Sequence, residues 1–375
     1  MKEIVSVCQK FAEKHIGSYA LEADLNGDLN WLHSVWQKSS EIGIIPLGVP
    51  AELGGVGQSD ACCALVLDAF AAECAGVASV YLHQYVALKA ILAAEDAQRT
   101  SLFSTLINDK GKSFPILSVI FPSDMDDRHI SIREKEGKVF IQGTSPLTGN
   151  AVLSRYIVVF LREERDNDTM TCILIRRESP GIALGDDARL PGLRVNPFAP
   201  VIFNDVEITQ ECIIGKRGEA KALYETSLEV YYGFVAACAL GAARRAYSKA
   251  LKYAQDRYQF GTMIINHQEI QRMLGNMLAK LAVGTSSYIT ALSGEVEGMF
   301  MLPFKGSRFA KVFCTDAALE IAIDAVQVHG GYGYTHDYGV EKIMRDIKVL
   351  QLLGESNPVL HIKTIQDIVH ATNVK

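Results

Sequence analysis

Apolar residues recur at helical spacing along the first third of the chain. Val5 and Phe11 begin one apolar face, and residues 61–75 are so uniformly apolar that a helix there must be buried on most of its sides. A loop with three closely spaced glycines, at positions 50–57, interrupts the helical pattern. This pattern predicts an N-terminal helical domain over residues 1–114.

Near residue 115 the helical spacing gives way to an alternation of apolar and polar positions. Short alternating runs continue to about residue 208, and Gly137 separates two of them as a hairpin turn would. They predict a middle antiparallel β domain over residues 115–222. From residue 223 long apolar stretches at helical spacing return, joined by short loops, and they predict a C-terminal four-helix bundle over residues 223–375. The predicted fold class is therefore α+β, in three parts.

Composition and charge exclude several classes of protein. The chain has 375 residues, of which 49% are hydrophobic and 21% charged, so we expect a globular protein of two or three domains. A net charge of -6 without a basic stripe argues against nucleic acid as a partner. The eight cysteines lack C-x-x-C spacing, so neither a metal site nor a disulfide framework is predicted. The pattern predicts no apolar run of the roughly 18 residues needed to span a membrane, and the N-terminus does not resemble a signal peptide. We therefore expect a cytoplasmic protein with no membrane partner.

Glycines interrupt a helical pattern in the stretch from Gln327 to Glu355. Gly330, Gly331 and Gly333 break the pattern, which resumes after them. Glycine adopts positive φ and lets a ligand lie against bare backbone amides, which suits a flat cofactor that carries phosphate. On its own, the same pattern is also typical of a helix end followed by a tight turn.

Further motifs make the cofactor interpretation more specific. R-Y-Q-F-G occupies residues 257–261, H-Q residues 267–268, Q-V-H-G-G-Y-G residues 327–333 and R-D residues 345–346. Together these motifs resemble the acyl-CoA dehydrogenase flavoprotein family. L-P-G-L-R at residues 190–194 matches another motif of the family, near the end of its β domain. The order of helical, β and helical parts extends the resemblance over the whole chain.

The resemblance implies noncovalent FAD and a homotetramer in which each chain contributes to a neighbour's cofactor site. An arginine binds phosphate oxygens in a bidentate manner, and glycines leave backbone amides accessible to phosphate. The residues that the resemblance places near FAD are Arg257, Gln259, Phe260, Gly261, Gln268, Gln327, Gly330 and Gly331. Two further candidate cofactor contacts come from segments that match the family less well, namely Thr148 and Ser356.

The reaction that the resemblance implies is the FAD-dependent α,β-dehydrogenation of an acyl thioester, carried by CoA or by an acyl carrier protein. A carboxylate removes the proton beside the carbonyl, a hydride passes to flavin N5, and an electron-transfer flavoprotein or similar acceptor takes the electrons. The commonest base is the Glu of an E-G-T triplet, which here reads Gly354-Glu355-Ser356, and other members place it where this chain has Tyr231. Glu355 is therefore the candidate base, provided that the chain after Leu353 is not helical and absorbs the one-residue shift.

Two departures from the family pattern leave alternatives open. The family's T-E-P-G-x-G-S-D loop corresponds to residues 120–127, where only Pro122 and Asp127 are kept. The arginine that usually contacts CoA corresponds to Tyr232. The alternatives are a non-catalytic subunit that supports a catalytic relative in a mixed tetramer, and a member that uses flavin for elimination or oxygenation.

Overall fold

The structure is a computed structural model, and it describes residues 1–109, 113–122, 130–163, 166–294 and 306–373. Its helices are α1 (Lys2–Ala12), α2 (Ala20–Asn26), α3 (Leu29–Glu41), α4 (Asp60–Leu92), α5 (Asp96–Asn108), α6 (Lys221–Asp256), α7 (Gln268–Ser293), α8 (Ser307–His329), α9 (Val340–Leu350) and α10 (Asn357–Asn373). Its strands are β1 (Leu117–Ile120), β2 (Ile130–Lys135), β3 (Lys138–Thr144), β4 (Tyr156–Glu163), β5 (Asp166–Arg176), β6 (Ile182–Leu184), β7 (Val201–Ile208), β8 (Tyr258–Gln259) and β9 (Thr262–Met263). The predicted α+β fold, with a β sheet between two helical parts, is confirmed. Asp127 lies outside the described residues.

Two long helices form the centre of the molecule. Ser59 caps the N-terminus of helix α4, since its side chain accepts a hydrogen bond from the backbone N–H of Cys62 at 3.3 Å. The helix bends at Cys74. It packs along α6. Both helices are long and apolar enough to cross a membrane by length and composition, so the expectation that no such run exists was wrong. However, 83% of the apolar window of each helix is buried inside the protein, as in core helices.

The strand directions correct one prediction. Seven strands form one sheet. Six of them follow the order β1-β4-β2-β3-β7-β6, and the seventh, β5, pairs with β4 outside this order. Most pairs are antiparallel, including the predicted hairpin of β2 and β3, whose turn has positive φ at Glu136 and Gly137. However, β4 runs parallel to both β1 and β2, so the sheet is mixed rather than wholly antiparallel. An alternating pattern predicts a half-buried strand but carries no information about the direction of its partner.

Strand β4 lies between two hydrophobic cores. Val158 and Phe160 face the main core, which the helices share, whereas Ile157, Val159 and Leu161 face a second core inside the β domain. All five side chains are 0% exposed. Because successive side chains of a strand point to opposite faces, this strand joins the sheet to the helices.

The L-P-G-L-R and R-D motifs meet where the β domain contacts α9. The carboxylate of Asp346 accepts the backbone N–H of Leu193 at 2.7 Å, and it forms a buried ion pair with Lys342 at 2.6 Å. A side chain at Gly192 would collide with the carbonyl of Arg345. These two motifs therefore form a structural joint between the domains.

The C-terminal part contains one helix more than predicted. Helices α6, α7, α8 and α9 correspond to the four predicted helices, and α10 follows them. Pro358 is the second residue of α10, and the first turn of a helix tolerates proline because a backbone N–H at that position has no acceptor within the helix. The bundle therefore has five described helices.

Candidate active site

A cavity of about 450 Å³ lies where the sheet meets the helices. Its walls are the end of β1, the segment 146–149, one face of α6 and the loop between α9 and α10. Most of the lining side chains are apolar. The polar or charged side chains among the described lining residues are those of His83, Thr148, Tyr224, Tyr231, Lys348, Glu355 and Ser356. Such a cavity suits an apolar group that is oriented by a small number of polar contacts.

The loop between α9 and α10 is not helical, as the sequence analysis required. Gly354 has φ +73°, and a side chain there would meet the rings of Tyr231 and Tyr232 at 3.1 Å. The buried ammonium of Lys311 in α8 donates to the carbonyls of Gln351 and Glu355, at 2.9 and 2.7 Å. A side chain at the family's usual base position would thus be strained by the positive φ and tightly packed against two rings, and the next residue, Glu355, carries the carboxylate that lines the cavity.

The carboxylate of Glu355 is held from two sides. The hydroxyl of Tyr232 donates to Oε2 at 2.9 Å, and the ammonium of Lys363 contacts Oε1. Burial, together with the adjacent Glu355 carboxylate, raises the pKa of Tyr232, so its hydroxyl keeps its proton and remains a donor. The Glu355 side chain is 19% exposed. Although the acid is shifted by one residue from the family's usual position, a carboxylate therefore still lines the cavity.

The second family position for a base is occupied by an uncharged pair. The hydroxyl of Tyr231 lies 3.5 Å from Nε2 of His83, whose Nδ1 is 2.7 Å from the carbonyl of Ser79. That carbonyl fixes the proton on Nδ1, which leaves Nε2 as an acceptor. Burial lowers the pKa of His83 to about 4, so the ring is neutral. Sequence reasoning missed His83, although a histidine inside a nearly uniform apolar helix was an available signal.

Thr148 and Ser356 lie on the wall of the same cavity. The hydroxyl of Thr148 donates to the carbonyl of Pro146 at 2.9 Å, so it fixes the local turn. Behind it, a side chain at Gly149 would collide with the imidazole of His83. The structure therefore brings Thr148, Glu355 and Ser356 together at one cavity.

The other predicted cofactor residues lie at a separate, more open groove of about 470 Å³. It lies between the end of α6 and the end of α8, and its wall includes Arg257, Gln259, Phe260, Gln327, Gly330 and Gly331. Two other predicted residues, Gly261 and Gln268, lie near this segment in the sequence but do not line the groove. The groove therefore gathers six of the eight residues predicted for the neighbour's cofactor.

Comparisons with known proteins identify the chain. Residues 1–109 match the N-terminal domain model of acyl-CoA dehydrogenase, and residues 224–368 match its C-terminal domain model. The chain belongs to the acyl-CoA dehydrogenase family. Members are flavin oxidoreductases, and the cofactor of the family is FAD.

Two curated relatives match this chain over nearly its whole length. A 3-(aryl)acrylate reductase of Clostridium sporogenes is 26% identical over 99% of this chain and 97% of its own. A cyclohex-1-ene-1-carbonyl-CoA dehydrogenase of Syntrophus aciditrophicus is 25% identical over 97% of this chain and 88% of its own. The solved butyryl-CoA dehydrogenase of Megasphaera elsdenii has a TM-score of 0.87 at 22% identity, covering 98% of this chain and 97% of that one. That structure shows the shared fold.

The groove of this chain fits a phosphate-bearing dinucleotide. A side chain built at Gly330 or Gly331 would meet nothing within 4 Å, so their backbone faces open space. The guanidinium of Arg257 lies over the ring of Tyr332 at 5.6 Å, and in the described part of the chain it forms no ion pair. Phe260 is 91% exposed. A cation, bare backbone and an exposed aromatic ring are what the phosphates and the base of a dinucleotide require.

The groove and the cavity have no lining residue in common. One chain therefore presents two partial sites, one with Glu355 and Thr148, and the other with Arg257 and the glycines.

Proposed function

We propose that this protein is an FAD-dependent dehydrogenase that oxidises the α,β bond of an acyl thioester, with Glu355 as the base. The observation that carries the proposal is the position of Glu355, because it is the one carboxylate among the described residues that line the 450 Å³ cavity. A base must lie within hydrogen-bond reach of the proton that it removes. Relatives over nearly the whole chain are named as dehydrogenases of CoA thioesters or as a reductase, which supports the same class of reaction.

The residues around Glu355 suit proton removal beside a thioester carbonyl. Each carboxylate oxygen has two lone pairs, so the contacts with Tyr232 and Lys363 leave capacity to accept a proton. The two contacts also fix the carboxylate in one orientation, so less conformational freedom is lost when the reactive geometry forms. When bound, FAD supplies the acceptor for the hydride from the neighbouring carbon.

The proposal includes an oligomer and an electron acceptor. We propose a homotetramer in which Arg257, Gln259, Phe260, Gly261, Gln268, Gln327, Gly330 and Gly331 serve FAD bound mainly by a neighbouring chain, whereas Thr148 and Ser356 contact the chain's own FAD. The two partial sites of one chain support this arrangement. The proposed acceptor is an electron-transfer flavoprotein, and the proposed compartment is the cytoplasm.

Anaerobic reduction of the flavin tests the function. Purified protein with FAD is mixed with a panel of saturated acyl thioesters, carried by CoA and by an acyl carrier protein, and the flavin absorbance is followed. We expect at least one thioester to bleach the flavin within seconds. Flavin that no thioester reduces would contradict the proposal and favour a supporting subunit or another flavin reaction.

A further inference from the structure

We propose that the acyl group bound in the cavity ends in an aromatic or saturated ring rather than in a long alkyl chain. The inference rests on the proposed function and concerns the same cavity. Its basis is a continuous set of aromatic side chains, here called the aromatic wall, which consists of Phe198, His83, Tyr231, Phe121 and Tyr224.

The rings of the aromatic wall contact one another edge to face. Ring centroids are 5.8 Å apart between Phe198 and His83, 5.7 Å between His83 and Tyr231, 5.5 Å between Tyr231 and Phe121, and 6.0 Å between Phe121 and Tyr224. The interplanar angles lie between 65° and 78°. Aromatic pairs prefer this geometry, so a further ring can pack in the same way against the faces and edges of the wall.

The aromatic wall is rigid. Phe121 stacks on Phe160 with a centroid distance of 5.3 Å and an angle of 9°. Tyr231, Phe198 and His83 are at most 4% exposed, and the imidazole is anchored to the carbonyl of Ser79. Rigid walls favour a rigid occupant, because a ring loses less conformational freedom on binding than an alkyl chain with the same number of carbons.

Helix α4 closes the cavity on the side of the aromatic wall. Of its described residues, His83 lines the cavity, whereas Tyr81 and Tyr85 point away and donate hydrogen bonds to Ser39 and to the carbonyl of Ile44. Because Thr148 and Ser356, the proposed contacts of FAD, line the same cavity, the acyl group takes only part of its volume of about 450 Å³.

Matched substrates test the inference. We would compare kcat/KM for anaerobic flavin reduction by 3-phenylpropanoyl-CoA, 3-cyclohexylpropanoyl-CoA and nonanoyl-CoA, which have the same number of acyl carbons. We expect the ring substrates to be favoured about tenfold or more. The Phe121→Leu and Tyr231→Leu variants should reduce this preference, whereas Tyr231→Phe, which keeps the ring, should retain it.

Each outcome bears on the inference separately from the proposed function. A wild-type ratio near one, or a ratio that both leucine variants leave unchanged, would overturn the ring preference while leaving the dehydrogenase proposal intact. If no thioester reduces the flavin, the proposed function fails, and calorimetric binding of the same three thioesters to the wild type decides the ring preference instead. Tighter binding of the ring compounds supports it, and equal binding overturns it.

Discussion

Glu355 reaches the cavity because the residue before it is glycine. Gly354 adopts φ +73°, a conformation that other residues enter at a cost, and a Cβ there would lie only 3.1 Å from the rings of Tyr231 and Tyr232. The carboxylate of the next residue is oriented by Tyr232. The shifted position of the acid and the tight packing of Gly354 against two tyrosines are thus parts of one local arrangement.

The first prediction concerns the proposed base. Glu355→Gln keeps the shape of the side chain but removes its ability to take a proton, so flavin reduction by the best thioester should slow by more than about a hundredfold, or roughly 3 kcal/mol of transition-state stabilisation. FAD content and the thermal midpoint should change little. Stopped-flow absorbance measures the rate, and Glu320→Gln on the exposed face of α8 is the control. Reduction at the wild-type rate would place the base elsewhere.

The second prediction separates backbone strain from the steric effect at Gly354. Gly354 and Gly137 have nearly equal φ values, +73° and +74°, but a Cβ at Gly137 would meet nothing within 4 Å. The left-handed backbone costs both alanine variants about 1 kcal/mol each, and Gly354→Ala must also shift two buried rings by a few tenths of an ångström. We therefore expect Gly354→Ala to lose at least about 1 kcal/mol more in urea denaturation at fixed protein concentration. Equal losses would show that the tyrosine rings yield without strain.

A buried cation of helix α8 helps to hold the loop that carries Glu355. The ammonium of Lys311 donates to the carbonyls of Gln351 and Glu355 and to the side chain of Asn357, so its three donors meet three acceptors. The side chain is 0% exposed, and burial lowers its pKa to about 7. The fold thus uses an ammonium that is costly to keep charged in order to fix the loop that carries Glu355.

The third prediction follows from that lowered pKa. The folded state releases the Lys311 proton at about pH 7, whereas the unfolded chain keeps it to about pH 10.5, so the unfolded state binds more protons between these values. The stability of the wild type relative to Lys311→Met should therefore rise with pH in this window, by roughly 1 kcal/mol per pH unit. Urea denaturation between pH 6 and 10 measures this difference. The exposed Lys252→Met variant serves as the control. A difference that does not change with pH would show that Lys311 keeps its proton in the folded state throughout this window, which contradicts the lowered pKa.

At the scale of the whole molecule, the two partial sites are the basis for proposing that a second chain completes each site. The groove has an arginine without a described ion pair, glycines that face open space, and Phe260, which is 91% exposed and has φ +53°. An exposed aromatic side chain on a strained backbone is unfavourable in an isolated chain and is stabilised when a partner or ligand covers it.

The fourth prediction tests this assembly. Arg257→Ala should lower the affinity for FAD at least about tenfold, since a charge-assisted contact to phosphate is removed, and it should shift the oligomer toward smaller species. Flavin titration and light scattering measure the two effects. Arg272→Ala is a suitable control, because Arg272 is exposed and pairs with Glu269 on the same helix. A wild type that is monomeric when loaded with FAD would contradict the shared site.

The sequence by itself determined what depends on neighbours along the chain. Helical and alternating spacing gave the order of helices and strands, the positive-φ turn at Gly137 gave the hairpin, and Gly354 gave the non-helical loop before Ser356. These features follow from local backbone preferences and from which face each side chain occupies. Each family motif is also a short local pattern, and two of the motifs contain residues that line the groove around Arg257.

The tertiary structure alone decided what depends on residues far apart in the chain. Strand β4 runs parallel to β1 and β2, His83 of α4 meets Tyr231 of α6, and Asp346 binds the backbone of Leu193. No local preference encodes these contacts, because each joins segments whose proximity results from the packing of two cores around β4. For the same reason, the sequence did not determine whether the side chain of Glu355 faces the cavity. Its direction depends on the rings of α6 and on Lys311 of α8.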